Sequence, residues 1–379
     1  MSSRKASVCF VAPAVWPVLS EDSGSQVVGG AEVQQSFLAR GFTRAGYHVS
    51  VVSLDYGQQD AVDIDGVRVY KAHTPNGGVP VARFIHPRVT SLWHAMTRAN
   101  ADIYYQRSGG MLTGLVAHYC RMHRRKMIYA AAHDADFERR LPLIRFSRDR
   151  WLFRYGLRYA DHIVVQSHAQ QAACMALIGR TSTRVPSCYE APISACSDSH
   201  GYILWVSTVR SWKRPEVFLE LARALPNHRF RMVGGPAIDE PRLYRNVEAR
   251  ARALRNIDFL GFVPYSRIER EFDGAVMLIN TSSQEGFPNT FLQAWSRGIP
   301  TVSFLSSALT DMRCCGNLSV RTVTELAECV QRLSLDANYY RECSNECRRV
   351  FLANHSVAAA IAAYETLFEL LKNSNQHGA

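Results

Sequence analysis

Short apolar runs recur along the chain, separated by stretches whose apolar positions follow a helical spacing. In the first half, Val8–Ala12, Val49–Leu54, Asp102–Gln106, Lys126–Ala132 and His162–Gln166 read as strands, and Ala31–Ala45 reads as a helix. Strands rich in Val and Ile with helices between them predict βαβ units around a parallel sheet. Ala61–Tyr70 departs from this pattern: Asp65-Gly66 divides two short runs and reads as a hairpin turn. Pro186–His200 is polar and carries two prolines, as a linker would. The pattern then restarts. Tyr202–Ser207, Arg229–Val233, Ile257–Leu260, Ala275–Asn280 and Thr301–Phe304 read as strands, with helices at Glu216–Ala224 and Thr290–Ser296. Val357–Leu371 is an amphipathic helix whose stripe is Ile361, Tyr364, Leu367, Phe368 and Leu371. The expected division is an N-terminal Rossmann-like domain over 1–190, a linker over 191–200, a second Rossmann-like domain over 201–355, and a C-terminal helix and tail over 356–379. Two such domains would face each other across a cleft, where ligands bind.

A chain of 379 residues has room for two domains, each with its own core. Its 47% hydrophobic and 20% charged content is ordinary for a globular protein, so disorder is not the expectation. The net charge of +11 adds a preference for an anionic partner. The ten cysteines include no C-x-x-C pair. Cys314-Cys315 and the Cys343/Cys347 pair lack metal-site spacing, which leaves reduced structural thiols in a cytosolic protein. No apolar run reaches the roughly 18 residues of a membrane span, and the Val8–Ala12 run is too short for a signal peptide. The expected location is therefore cytoplasmic.

The segment with most chemistry is Asn280 to Trp295. A buried strand ends at Asn280, a loop follows with Glu285, Gly286, Phe287 and Pro288, and Asn289 is placed to cap a helix from about Thr290. Free backbone N–H groups at that helix start would suit an anion. A carboxylate beside them can accept hydrogen bonds from two adjacent sugar hydroxyls. This segment resembles the family 4 glycosyltransferases of GT-B fold, whose hallmark is a Glu, seven residues and a second Glu in a stretch like E-G-F-P-N-x-x-L-E-A-x-x-x-G-x-P. Here the match runs Glu285-Gly286-Phe287-Pro288-Asn289-Thr290-Phe291-Leu292-Gln293-Ala294, then Gly298 and Pro300. Gln293 stands where the second Glu is expected. The resemblance implies that Glu285 binds the donor sugar and that position 293 meets the ribose hydroxyls. Gln can still donate and accept, without the charge that strengthens such bonds.

Further segments carry the resemblance. Leu204 to Glu216 is a strand feeding a loop with Arg210, Lys213 and Arg214, and Pro215 opens a helix. The family has a Gly-Arg pair and a downstream Lys here, on the donor phosphates. Lys213 matches the Lys; Ser207-Thr208 replaces Gly-Arg, and Arg210 is the candidate substitute. Gly29-Gly30 opens the helix after the first strand, where the family places glycines near the donor phosphates or the acceptor. His133-Asp134 follows the strand at 126–132, and the resemblance sets His133 near the transferring sugar. Asp134-Ala135-Asp136 has the D-x-D form of another glycosyltransferase fold, but the rest of the chain argues against that fold. The loops at Val233-Gly234-Gly235-Pro236 and Gly261-Phe262-Val263-Pro264 are similar to those that line the family's nucleotide pocket, which implicates Gly234, Phe262 and Val263.

Arg139–Tyr159 interleaves seven arginines with Leu, Ile, Phe and Trp, and reads as a basic amphipathic helix able to lie on an anionic membrane surface or to pack on the first sheet. No nucleic-acid module is visible. The resemblance thus implies a retaining, metal-independent hexosyltransferase that uses a nucleotide diphosphate-sugar as co-substrate and needs no other cofactor. Its acceptor would be a glycan or lipid-linked saccharide in bacterial polysaccharide or glycolipid assembly, at the inner face of the membrane. Two alternatives stay open: a soluble small-molecule acceptor, and a GT-B-like protein that binds a nucleotide sugar with little turnover.

Overall fold

A computed structural model describes residues 5–20, 29–75, 77–78, 84–191, 201–285, 287–305 and 316–373. Gly286, Cys314, Cys315 and linker positions 192–200 lie outside the described residues. The chain divides into two compact units, Met1–Cys188 with Val357–Ala379, and Tyr189–Ser356.

The first unit is built on eight strands: β1 (Ser7–Val11), β2 (His48–Ser53), β3 (Val62–Ile64), β4 (Val67–Lys71), β5 (Ile103–Arg107), β6 (Lys126–Ala130), β7 (His162–Val165) and β8 (Thr183–Arg184). Their spatial order is β3-β4-β2-β1-β5-β6-β7-β8, parallel except for the β3–β4 hairpin turning at Asp65-Gly66. The apolar runs are continuous because both faces are covered. Along β1, Val8 and Phe10 enter one core while Cys9 and Val11 enter the other. Burial pushes the Cys9 thiol up to about 12. The helix Gly30–Arg44 covers the first face together with the C-terminal helix Val357–Asn373, whose Ile361, Tyr364, Leu367, Phe368 and Leu371 are all buried there. Phe42 stacks on Phe368 with centroids 5.3 Å apart. Gly41 allows this closeness, since a Cβ there would lie 2.5 Å from Val357 Cγ1.

The second unit carries six parallel strands: β9 (Tyr202–Val206), β10 (Phe230–Val233), β11 (Ile257–Gly261), β12 (Ala275–Asn280), β13 (Thr301–Ser303) and β14 (Asn317–Ser319). Their order is β11-β10-β9-β12-β13-β14. Each unit is a largely parallel sheet flanked by helices, the α/β architecture that the GT-B resemblance implies. Cys343 and Cys347 share the buried face of the helix Ala337–Val350, as a spacing of four implies.

One expected element is shorter than its charge pattern suggested. The arginine-rich stretch is helical only over Ser147–Tyr159; Arg139–Phe146 runs through turns. Leu141 sits at φ +48° directly before Pro142, and neither that backbone nor the following proline can continue a helix through this point. The helix that does form crosses Met111–Met122 at a pair of glycines. A Cβ on Gly114 would meet Leu152 O at 2.4 Å, and one on Gly156 would meet Thr113 O at 2.6 Å.

Candidate functional site

In each sheet the chain starts at a central strand, winds outward, then returns to the other side of that strand. β9 lies between β10 and β12, so the sheet of the second unit reverses direction there. The loops leaving the carboxyl ends of β9 and β12 must diverge, and the crevice between them is where doubly wound sheets hold ligands.

The loop after β9 carries Arg210 into a 3₁₀ turn, Ser211–Lys213, and Arg214 at φ +50° turns the chain into the helix Pro215–Ala224. The loop after β12 carries Thr281 to Pro288. The two are stitched together: Thr281 Oγ1 donates to Lys213 O at 2.6 Å and accepts from Trp205 Nε1 at 2.9 Å. Ser283 N donates to Trp212 O at 2.9 Å. Across this seam the Lys213 ammonium donates to Glu285 Oε1, and both side chains are only 14% exposed. Ser282 Oγ donates to the same oxygen at 2.9 Å. Burial pulls the Lys213 pKa below the usual lysine value, Glu285 opposes that pull, and the Arg210 charge adds to it. A buried cation and a buried carboxylate thus stand side by side at the sheet reversal.

The other expected residues of this unit gather around that pair to different degrees. Arg210 reaches away, to Asp239 at 3.3 Å in the loop after β10. Thr208, where the family has Arg, is exposed. Asn289 is the first helical residue rather than the cap. Pro288, with extended backbone, takes the cap position and makes no side-chain cap hydrogen bond. Thr290 is half-buried at the same start. Phe287 stacks on His355 with centroids 5.1 Å apart and meets Trp295 edge-on. Gly234 is needed for strand-end packing: a Cβ there would lie 2.0 Å from Ser207 O. Phe262 is exposed at the end of β11 and Val263 half-buried beside it. Gln293 is buried and donates from Nε2 to Glu269 Oε1 at 2.9 Å.

In the first unit Gly29 is the N-cap and Gly30 the first residue of the helix Gly30–Arg44. A Cβ on Gly29 would lie 2.1 Å from Glu32 Oε2, so the glycine makes room for that carboxylate. His133 is exposed and caps the turn Asp134–Phe137: Nδ1 accepts from Ala135 N at 3.1 Å. Asp136 accepts from Ala132 N and His133 N within the loop, and Asp134 accepts from Gln170 on the helix His168–Ile178, so both D-x-D carboxylates already have partners. Burial raises the Asp136 pKa.

Sequence reasoning did not single out Ser282, Glu269, Arg297 or Tyr189. Ser282 lies three residues before Glu285 and was within reach of a local reading. The other three meet only through tertiary packing.

A doubly wound α/β chain with a paired cation and carboxylate at a sheet reversal suits a ligand with both anionic and hydroxyl groups. Residues 200–336 match the family model for glycosyl transferases group 1, and residues 29–186 match that for a glycosyl transferase 4-like domain. The chain belongs to this family of GT-B glycosyltransferases. It is 26% identical over 306 residues to a component of the phosphatidylinositol N-acetylglucosaminyltransferase of Arabidopsis thaliana, covering 73% of this chain and 64% of that relative's length. Among solved structures, sucrose-phosphate synthase from Thermosynechococcus elongatus superposes with a TM-score of 0.74 at 16% identity, over 98% of this chain and 100% of the other. HepE from Anabaena, in complex with UDP and glucose, gives 0.71 at 15% identity, over 97% and 100%.

Proposed function

We propose that this protein transfers a sugar from a nucleotide diphosphate-sugar to an acceptor hydroxyl, with retention of configuration and without a metal or further cofactor. The observation that carries this reading is the Lys213–Glu285 pair at the reversal of the second sheet. In the reaction the bond between the anomeric carbon and the diphosphate oxygen breaks, the acceptor oxygen takes its place, and the acceptor proton leaves with the diphosphate. Lys213 stabilises the charge that develops on the leaving group, helped by the positive end of the helix Asn289–Ser296 and by Arg210. Glu285 accepts hydrogen bonds from the sugar hydroxyls, Gln293 meets the ribose, and Gly234, Phe262, Val263, Phe287, Asn289 and Thr290 shape the nucleotide side. HepE was solved with UDP and glucose, which supports a nucleotide-sugar donor.

The acceptor in this reading is lipid-linked, in polysaccharide or glycolipid assembly at the cytoplasmic face of a membrane. The plant relative's name places its sugar on phosphatidylinositol, a lipid acceptor. Among the described residues no helix is long and apolar enough to cross a membrane. The arginine-rich stretch instead exposes Leu143, Phe146 and Trp151 beside a cavity of about 470 Å³ lined by Arg140, Pro142, Ser147, Arg150 and Arg154. Apolar side chains among clustered cations suit an anionic lipid surface.

The test is thermal stabilisation by UDP-, GDP- and ADP-sugars in the presence of a chelator, since a ligand specific to the folded state raises the melting temperature. One base should give a clear shift. In Glu285→Ala the extra shift from the sugar should vanish while that from the bare nucleotide persists. No shift with any of the three would sink the donor-site reading.

A further inference from the structure

Gln293 stands where the resemblance expects a carboxylate, and a carboxylate is present in its immediate surroundings. Glu269, on the helix Tyr265–Asp273, accepts from Gln293 Nε2 at 2.9 Å through Oε1. Its other oxygen accepts from Arg297 Nη2 at 2.9 Å and from the Tyr189 hydroxyl. Arg297 is 3% exposed and anchors the group further, donating from Nε to Asp273 at 2.9 Å and from Nη1 to the Gln293 backbone carbonyl at 3.1 Å. Burial, then the Glu269 charge, pushes the Tyr189 phenol well up, so it stays a donor.

We infer that Glu269 is a positioning residue of the donor site, which fixes the Gln293 side-chain amide so that its carbonyl oxygen is the group offered to the nucleotide. A carboxylate only accepts hydrogen bonds, so the amide facing it must present NH₂ and turn its oxygen the other way. Among the described residues that oxygen, Oε1, accepts no hydrogen bond. A Glu at 293 would instead set two carboxylates at hydrogen-bond distance, and one would have to take up a proton or move away. The negative charge of the family's second Glu has in effect moved onto Glu269, and Gln293 is its matched partner. This inference rests on the donor-site reading.

The experiment is isothermal titration of the wild type, Gln293→Glu, Glu269→Gln and the double variant Glu269→Gln/Gln293→Glu. The probes are UDP, GDP and ADP with their 2′-deoxy and 3′-deoxy counterparts, and each variant's melting temperature is recorded. Restoring the family residue alone should weaken binding of the preferred nucleotide about tenfold, the size of a typical coupling between contacting residues. It should also erase most of the preference over the deoxy forms, which a merely structural role would leave intact. The double variant should recover both affinity and preference, because it again pairs one carboxylate with one amide. If Gln293→Glu is too unstable to titrate, the same recovery is read in the melting temperature of the double variant. Gln293→Glu binding as tightly as the wild type would overturn the inference. So would a double variant as weak, or as unstable, as Gln293→Glu. A wild type that binds none of the nucleotides would instead remove the donor-site reading itself, and the wild-type titration alone shows which has failed.

Discussion

The two units share a winding scheme but use their polar side chains differently at the carboxyl ends of their strands. In the second unit, side chains from one loop bind those or the backbone of the other: Lys213 pairs with Glu285, Thr281 reaches Lys213 O, and Ser283 reaches Trp212 O. In the first unit, the polar side chains at the strand ends mostly bind backbone, that of their own loop or of the loop after the neighbouring strand. Gln106 donates to Arg107 O and Ser108 O, Gln166 to Ala131 O and Ala132 O, and Asp136 accepts from Ala132 N and His133 N. The first arrangement fixes charges, the second fixes loop shape. A diphosphate leaving group needs preorganised charge, whereas an acceptor is selected largely by shape. In the proposed reading, this contrast suits a donor site in the second unit.

Removing the fixed charge should have the largest effect. Lys213→Ala is expected to lower turnover by roughly 10²–10³, the range for loss of one preorganised group at a developing charge. It also leaves Glu285 buried without its cation, so the melting temperature should fall as well. Turnover within twofold of wild type would remove Lys213 from the site and with it the main difference between the units. The first unit should fail in another way, through its shape. Gly156→Ala puts a Cβ 2.6 Å from Thr113 O, in backbone that has to shift, and should destabilise the protein by about 1–3 kcal/mol in urea unfolding. No loss of stability there would mean that the crossing beneath the basic helix is loose.

How far the sequence was legible follows the same division. Glu285, Lys213 and the strands before them could be read because each lies within one strand–loop–helix stretch, where an apolar run, a glycine or proline and a charged residue stand in local order. The C-terminal helix was legible from its stripe alone, and every stripe residue is buried. Glu269 was not legible. It reaches Gln293 from another helix, and no spacing along the chain signals that approach. The partner of Arg210 was hidden for the same reason, since Asp239 comes from the loop after the neighbouring strand. β8 and β14 escaped because a two-residue Thr-Arg strand and a three-residue Asn-Leu-Ser strand are held by their neighbours' register rather than by apolar content. At Arg139–Tyr159 the charge pattern outweighed Pro142, although that proline was the stronger local signal.

The basic face tests whether the first unit uses charge at all. Arg140 and Arg145 are exposed, and among the described residues neither donates to backbone, whereas Arg150 and Arg154 donate to Ile144 O and Arg139 O. Arg140→Glu with Arg145→Glu should therefore leave the fold intact. Flotation with anionic vesicles should drop by about tenfold or more, at roughly 1 kcal/mol per cation near the surface. Unchanged flotation would confine charge recognition to the second unit and favour a soluble acceptor.

The smallest effect is expected at Arg210, and its sign is informative. Its guanidinium already pairs with Asp239, and the two side chains are 36% and 63% exposed, so little of its charge is held in reserve for a ligand. Arg210→Ala should lower turnover by less than about tenfold, well short of the loss from a preorganised donor. The pH profile should move the other way. The Lys213 pKa is depressed first by burial and then by the Arg210 charge, against the opposing pull of Glu285. Removing the like charge favours the ammonium, so the pKa rises and the alkaline limb of turnover shifts to higher pH. A small loss of rate with an upward shift identifies Arg210 as a neighbour that tunes Lys213. A loss as large as that of Lys213→Ala, with no shift, would show instead that Arg210 leaves Asp239 and takes the diphosphate directly.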